Sequence, residues 1–470
     1  MDKSRLVEFF NESAKTRDAW RKQNWYYHKE LLDFFLFVIP AKASVLEIGC
    51  STGDLLKDLD PAAGRGIDIS PEMIKRAKAR HPDLAFAVDD VENLSSDGKY
   101  DYIVLQDLLG ELNDVWRAFR RLRKVSTPRT RLIITSYNHL WQPLLMLAEA
   151  LGLKGPQPRQ NWLSLPDIEN LLYLNHYEVV KKGYRFLMPF YIPLLSRFIN
   201  RYLAKAPLIR NLCLIQFIIA KPLPGEPEKK EYSVSVIVPS RNEAGNIDRL
   251  IEEMPVLGKG AEIIFVDGDS DDGTVEKINE AIKKNPGKDI KLILQGGAFG
   301  KADAVRKGFE PAKGDILMIL DADLTVPPED LKKFYLALAE GKGEFINGSR
   351  LVFPMEKEAM RTLNMFGNKV FSMIFTWTLG QRIKDTLCGT KVLFKSDYER
   401  IKAGRAYFGD FDPFGDFDLL FGACKLNLKL VEMPISYKDR TYGVTKISRF
   451  RHGLLLFKMS FIAFKKLKLN

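Results

Sequence analysis

The sequence predicts an α/β protein built of two domains, and three observations predict it. Its 470 residues exceed one ordinary core and suit two, since a domain usually holds roughly 100 to 250 residues. Short apolar runs that read as strands alternate with helical stretches, the pattern of α/β units around a parallel sheet. Between two such series, Pro222, Pro224, Pro227 and Gly225 are crowded with five charged residues, a break that neither strand nor helix tolerates. The expected organisation is a first domain over 1–221, a linker over 222–231 and a second domain over 232–470.

Hydrophobic residues at 46% and charged residues at 28% match a chain that buries real cores and exclude a disordered one. Cys50, Cys213, Cys388 and Cys424 are widely spaced and form no CxxC pair or disulfide framework, which fits a reducing, cytoplasmic setting. Neither a signal peptide nor a membrane span is expected, because the first apolar run, at 31–40, carries Asp33 and falls short of the roughly 20 residues a bilayer needs. The net charge of +11 points to an anionic partner, and no nucleic acid is expected.

In the first half, strands are predicted at 43–49, 64–69, 84–89, 100–106 and 131–136. VLEIGCSTGDLL, 45–56, reads as a strand, a glycine-bearing turn and the start of a helix, a form that lets backbone N–H groups approach a ligand closely. Asp68 ends the next strand about 20 residues on, placed to accept hydrogen bonds from ribose hydroxyls. The fingerprint GxGxxG is absent, which argues against NAD. FAVDDVENL supplies a third acidic strand end.

Together these segments resemble the class I SAM-dependent methyltransferases, with their Rossmann-like fold, over about residues 40–220. The resemblance implies S-adenosyl-L-methionine as cofactor, with Glu47, Gly49 and Gly53 in its first loop, Asp68 on the ribose and Asp90 facing the adenine amino group. Ser51 stands where the family usually has its middle glycine. Two readings stay open: an active methyltransferase, or a fold retained as a scaffold. Tyr137 and His139, after the fifth strand, are candidates for the acceptor pocket. The stretch 184–207 is apolar, aromatic and basic by turns, which suits an acceptor lid or a surface that meets lipid.

In the second half, strands are predicted at 233–239, 261–267, 290–295, 315–321 and 343–349. The fourth ends abruptly in Asp321, Ala322 and Asp323. Carboxylates at i and i+2 share one side of an extended chain, so both can reach one hard cation that also binds a diphosphate. This pair sits within an ordered set, PSRNE, VDGDSDDGT, GKADAVRKG, DAD, NGSR, DTLCGTK and GDFDLL.

That set resembles the family 2 glycosyltransferases of the GT-A fold, nearest the dolichyl-phosphate mannose or glucose synthase branch and its bacterial relatives. It implies an inverting transfer from a nucleotide sugar. Pro239, Glu243, Asp267 and Asp269 would lie around base and ribose with Lys301 nearby, and Asp321 and Asp323 would carry a divalent Mg or Mn ion beside the diphosphate. Gly268 and Asp269 are swapped relative to the usual VDDGSTDGT, so a UDP-sugar and a GDP-sugar both remain open. Sugar nucleotidyltransferases are excluded by the missing Gly-rich loop that ends in Arg.

FGDFDPFGDFDLLFGA crowds Asp410, Asp412, Asp416 and Asp418 with phenylalanines, surroundings that raise a carboxylate toward the range of a general base. Asp416 falls at the family position of the acceptor-side acid and Asp418 is second; the alternative is that these acids cap the following helix. From Arg440 onward every charge is positive. Phe450, Leu454, Phe457, Phe461 and Phe464 recur at spacings of four and three, flanked by Arg451, Lys458 and Lys465, an amphipathic helix that meets an anionic membrane surface or packs on its own domain. The acceptor is a polyprenyl phosphate, with Arg440 on a phosphate group, or a glycan hydroxyl.

Overall fold

The computed structural model describes the whole chain except residues 1–2, 159, 224–229, 298–299, 351–361, 409–416, 436–437, 439, 441, 443–448 and 470. Its contacts divide the chain into two compact units, the first running to Pro224 and the second from Gly225 to Lys468.

The first unit holds strands β1 (Ser44–Ile48), β2 (Ala63–Asp68), β3 (Ala85–Val88), β4 (Tyr102–Gln106), β5 (Arg131–Tyr137), β6 (Tyr177–Arg185) and β7 (Ile215–Pro222). They form one sheet in the order β3-β2-β1-β4-β5-β7-β6, parallel except for β7, which runs against both neighbours. Alternation along each strand splits the core in two. Leu46, Ile103, Leu132 and Ile218 face the helices Val115–Leu122 and Leu165–Leu174, whereas Val45, Val104, Ile133 and Ile219 face Leu31, Phe34, Phe35 and Val38 of the helix Trp25–Val38. At the edge, β6 carries Lys181 and Lys182, charges that discourage pairing with another chain.

The second unit holds β8 (Val234–Ser240), β9 (Ala261–Asp267), β10 (Asp289–Leu294), β11 (Ile316–Ile319), β12 (Phe345–Ser349), β13 (Lys391–Phe394) and β14 (Leu430–Pro434). Their order is β10-β9-β8-β11-β13-β12-β14, with β13 antiparallel to β11 and β12. Val236, Val238, Phe265, Met318 and Leu320 pack with Leu331, Phe334 and Leu338 of the helix Leu331–Ala339. The helix Arg449–Ala463 buries Leu456, Met459 and Ala463, while Leu454, Phe457 and Phe461 stay exposed. Among the described residues no helix is long and apolar enough to cross a membrane.

The apolar run at 212–220, strand-like in the sequence, falls largely in β7, whereas β6, β13 and β14 were not among the strands expected. All three are short or carry charged residues, so they lack the apolar run that marks a buried strand.

Candidate functional site

In an open α/β sheet a ligand sits beyond the carboxyl ends of the strands, where the strand order reverses. In the first unit the reversal falls at β1, with β2 on one side and β4 on the other. The turn after β1 is left-handed at Gly49 (φ 71°), Ser51 (φ 49°) and Gly53 (φ 77°). A side chain at Gly53 would also come within 2.5 Å of Phe86 Cζ, so glycine there serves both dihedral and space. The Ser51 N–H donates to Asp68 Oδ2 at 2.9 Å and the Ser70 N–H to Asp68 Oδ1 at 2.9 Å. Asp68 thus shapes the turn, and its carboxylate keeps lone pairs for further donors.

A cavity of about 960 Å³ opens at this point, lined by Glu47, Gly49, Ser51, Asp68 and Asp90. Glu47 is 3% exposed, and among the described residues its Oε2 has no hydrogen-bond partner. Burial, set against a backbone hydrogen bond from Leu56, pushes its carboxyl up to about 8. Burial likewise raises Asp68, against the N–H donors of Ser70 and Ser51. A buried acceptor left open in a roomy cavity fits a ligand that brings N–H or ammonium donors. The helix Lys3–Gln23 forms part of the wall, and the Lys3 ammonium pairs with Asp90 and lies 3.0 Å from Glu92 Oε2.

The same cavity carries a polar cluster that the motifs did not reveal. Tyr27 donates to Asp107 Oδ2 at 2.5 Å, Thr135 donates to Asp107 Oδ1 at 2.8 Å, and the Tyr27 and Tyr137 rings stack at 6.2 Å. Burial raises Asp107 and takes Glu111, on the same cavity, up to about 8. The available signal was the polar ends of β4 and β5, QD and TSY, which converge because the two strands pair in parallel register. Tyr137 lines the cavity, whereas His139 is exposed and outside it.

In the second unit the strand order reverses at β8, flanked by β9 and β11. Asp321 and Asp323 follow β11 directly, and Glu243 lies just beyond β8. Lys301 Nζ is 2.5 Å from Asp321 Oδ1, and Arg440 Nη2 is 2.5 Å from Asp323 Oδ2 with Nη1 3.9 Å from Glu243 Oε1. Burial would raise Asp321, but the Lys301 ammonium, as charge and as hydrogen-bond donor, holds it below the usual carboxylate value. Gly389 presses on this pair: a Cβ there would overlap the Asp321 carboxylate and the Lys301 ammonium. Asp323 Oδ1 also accepts from the Thr325 hydroxyl at 2.7 Å.

Pro239 lies within β8, and Asp267 ends β9, its carboxylate taken up by the Ser270 N–H at 3.0 Å and hydroxyl at 2.5 Å. Asp269 is exposed in a left-handed turn (φ 65°). Asp418 is paired with Arg306 at 3.3 Å and Arg405 at 3.0 Å, contacts the sequence did not foretell. Asp410, Asp412 and Asp416 lie outside the described residues.

Each unit thus places acidic and cationic groups at the strand ends of an open α/β sheet, the arrangement of a nucleotide-binding, group-transferring fold. Residues 19–182 match the family model described as methyltransferase domain, and residues 235–401 match that of glycosyl transferase family 2. The chain therefore carries a methyltransferase domain followed by a family 2 glycosyl transferase domain. Curated relatives include a dolichol-phosphate mannosyltransferase of Pyrococcus furiosus, 32% identical over 46% of this chain and 59% of its own length. Another is an undecaprenyl-phosphate 4-deoxy-4-formamido-L-arabinose transferase of Enterobacter sp., 33% identical over 47% of this chain and 64% of its own length. This chain spans less than two thirds of either relative. Among solved structures, magnesium protoporphyrin IX methyltransferase from Synechocystis with bound SAH is 20% identical over 47% of this chain and all of its own length, with a TM-score of 0.34.

Proposed function

We propose that the second unit transfers a sugar from a UDP- or GDP-sugar to a polyprenyl phosphate with inversion, and that the first unit transfers a methyl group from S-adenosyl-L-methionine. The observation that carries the sugar-transfer reading is the alternation of charge after β11, where Lys301 and Arg440 sit on Asp321 and Asp323. Two carboxylates that each hold a side-chain cation at a strand end suit a divalent ion in its place, and Asp321 and Asp323 would hold it. That ion, Mg or Mn, supplies positive charge to the departing diphosphate. Lys301 and Arg440 would then exchange these carboxylates for phosphate oxygens. Glu243, Asp267, Asp269 and Pro239 are assigned to the nucleoside.

An ionised phosphate oxygen of the acceptor attacks the anomeric carbon with a lone pair. The bond to the nucleoside diphosphate breaks, its electrons leave with the diphosphate oxygen, and the configuration inverts. No proton is lost, so no general base is required. A glycan hydroxyl would need one, typically for a factor of about 100 to 10,000, and Asp416 would supply it, with Asp418 second. The phosphate acceptor is favoured by the relatives, which are a dolichol-phosphate mannosyltransferase and an undecaprenyl-phosphate 4-deoxy-4-formamido-L-arabinose transferase.

In the first unit Glu47 is matched to the ammonium of S-adenosyl-L-methionine, Asp68 to its ribose and Asp90 to its adenine amino group, with Gly49 and Gly53 letting the backbone approach. Methyl transfer asks mainly for alignment. The Tyr27–Asp107 pair is placed to take a proton from a polar acceptor. The protein works at the cytoplasmic membrane face, and the exposed Leu454, Phe457 and Phe461 fit that position.

The test is turnover of a panel of nucleotide sugars with and without divalent metal, using polyprenyl phosphate and hydroxyl acceptors. Asp416→Asn should keep much of the rate and Arg440→Ala should lose most of it. The reverse, a fall of about 1,000-fold in Asp416→Asn with Arg440→Ala near normal, overturns the phosphate reading.

A further inference from the structure

We propose that the first unit docks on an anionic lipid bilayer through an apolar face at the rim of its cavity, independently of the C-terminal helix. The helix Gln142–Ala150 is rich in leucine yet has no buried residue. In the segment that follows β6, Leu194 is 86% and Leu208 92% exposed, and Phe198 is exposed with them. The two stretches border one opening: Leu144 and Phe190 line the same cavity, and the Trp141 indole N–H donates to the Leu212 carbonyl at 2.8 Å.

This face is built outward rather than left loose. The Ser196 hydroxyl donates to the Phe190 carbonyl at 2.8 Å and accepts from the Ile192 N–H at 2.7 Å, and Asn200 Oδ1 accepts the N–H groups of Leu187 and Met188 at 3.0 Å each. Both polar side chains are buried while their apolar neighbours point to solvent, the inverse of a water-facing segment. Charge selects the partner. From Val179 to Leu223 the sequence has no Asp or Glu, and Arg197 and Arg210 are exposed among the leucines and phenylalanines. Apolar side chains inserted at headgroup depth with cations beside them are what an anionic bilayer binds. The cavity then opens toward lipid.

The experiment uses the full chain and vesicles of phosphatidylglycerol with phosphatidylcholine, against phosphatidylcholine alone. The double variant Leu194→Glu/Leu208→Glu should lower partition onto the anionic vesicles at least about tenfold, with melting temperature and hydrodynamic size in lipid-free buffer unchanged. It should do so equally in a background carrying Leu454→Glu and Phe461→Glu. As a second measurement, Leu208→Cys labelled with bimane should shift blue on vesicles and be quenched by lipid-borne nitroxide; the four native cysteines are buried and leave the label selective. Unchanged partition, or no spectral shift, overturns the proposal. So does a concentration-dependent dimer without lipid that the double variant breaks, which would assign the face to a second copy. A lowered melting temperature in the double variant also overturns it, since the face would then be covered within the chain.

Discussion

Replacing Glu47 by glutamine separates a ligand site from a merely buried acid. Burial takes the Glu47 carboxyl from 4.5 to about 8, so at pH 7 about nine-tenths of the protein without added ligand should hold a proton there. Each pKa unit is worth about 1.36 kcal/mol, so ionising Glu47 without a partner costs the fold on the order of 5 kcal/mol. The sign follows: the folded state binds this proton more tightly than the unfolded chain, so its stabilising effect is full below about pH 4.5 and is lost as pH rises through about 8. On the proposed assignment, S-adenosyl-L-methionine would bring an ammonium to Oε2, favour the ionised form and expel the proton. Calorimetry at pH 7 in buffers of differing ionisation enthalpy should show release approaching one proton per ligand. Glu47→Gln should abolish that release and weaken binding by roughly 10 to 100-fold, the worth of a charge-assisted hydrogen bond. Glu111→Gln, on the same cavity, should leave the release in place. Equal release by wild type and Glu47→Gln, or binding with no proton exchange at all, refutes the reasoning.

Gly53→Ala should lower the stability of the first unit by about 1–3 kcal/mol and block S-adenosyl-L-methionine, because the new methyl meets Phe86 in a left-handed turn; thermal melting with and without ligand checks both. Gly389→Ala should cut sugar-transfer turnover by about 100-fold at little cost in fold, since its Cβ would separate Lys301 from Asp321; steady-state kinetics and melting together decide it. Asp385→Asn should destabilise the second unit by about 3 kcal/mol, because Asp385 is fully buried and bonds Arg350 through Nε at 2.6 Å and Nη2 at 2.7 Å; urea unfolding of that unit reads the loss.

The strands that flank the two crevices were legible because both faces are buried, which writes them as apolar runs with acids at their ends: Glu47 in β1, Asp68 closing β2, Asp267 closing β9. Their partners were less so. Motif order alone put Lys301 near the donor, but only the fold brings it onto Asp321, across a helix and a strand. Arg440 was expected on a phosphate, and in the structure it holds Asp323. Asp107 was marked only by its place after β4, a weak signal, because its neighbours Tyr27 and Tyr137 come from a helix and a strand far apart in sequence and chance polar residues follow many strands. β13 was hidden by Lys391, a buried cation at its first position whose ammonium bonds the Cys388 carbonyl, so a charge stood where an apolar residue would have marked a strand.

The helix Lys3–Gln23 walls the methyltransferase cavity while burying only Leu6 and Ala14 of its own side chains. Polar bonds hold much of it: Lys3 to Asp90 and Glu92, the Ser70 hydroxyl to Asn11 at 2.7 Å, Asp18 to Arg80 at 2.7 Å and Arg21 to Asp54 at 2.8 Å. At 0.1 M salt, charges are screened over about 10 Å, and partly exposed pairs weaken further as salt rises, whereas the apolar sheet core does not. The residence time of a molecule behind this wall should therefore shorten as salt rises, while the melting of the sheet beneath stays where it was.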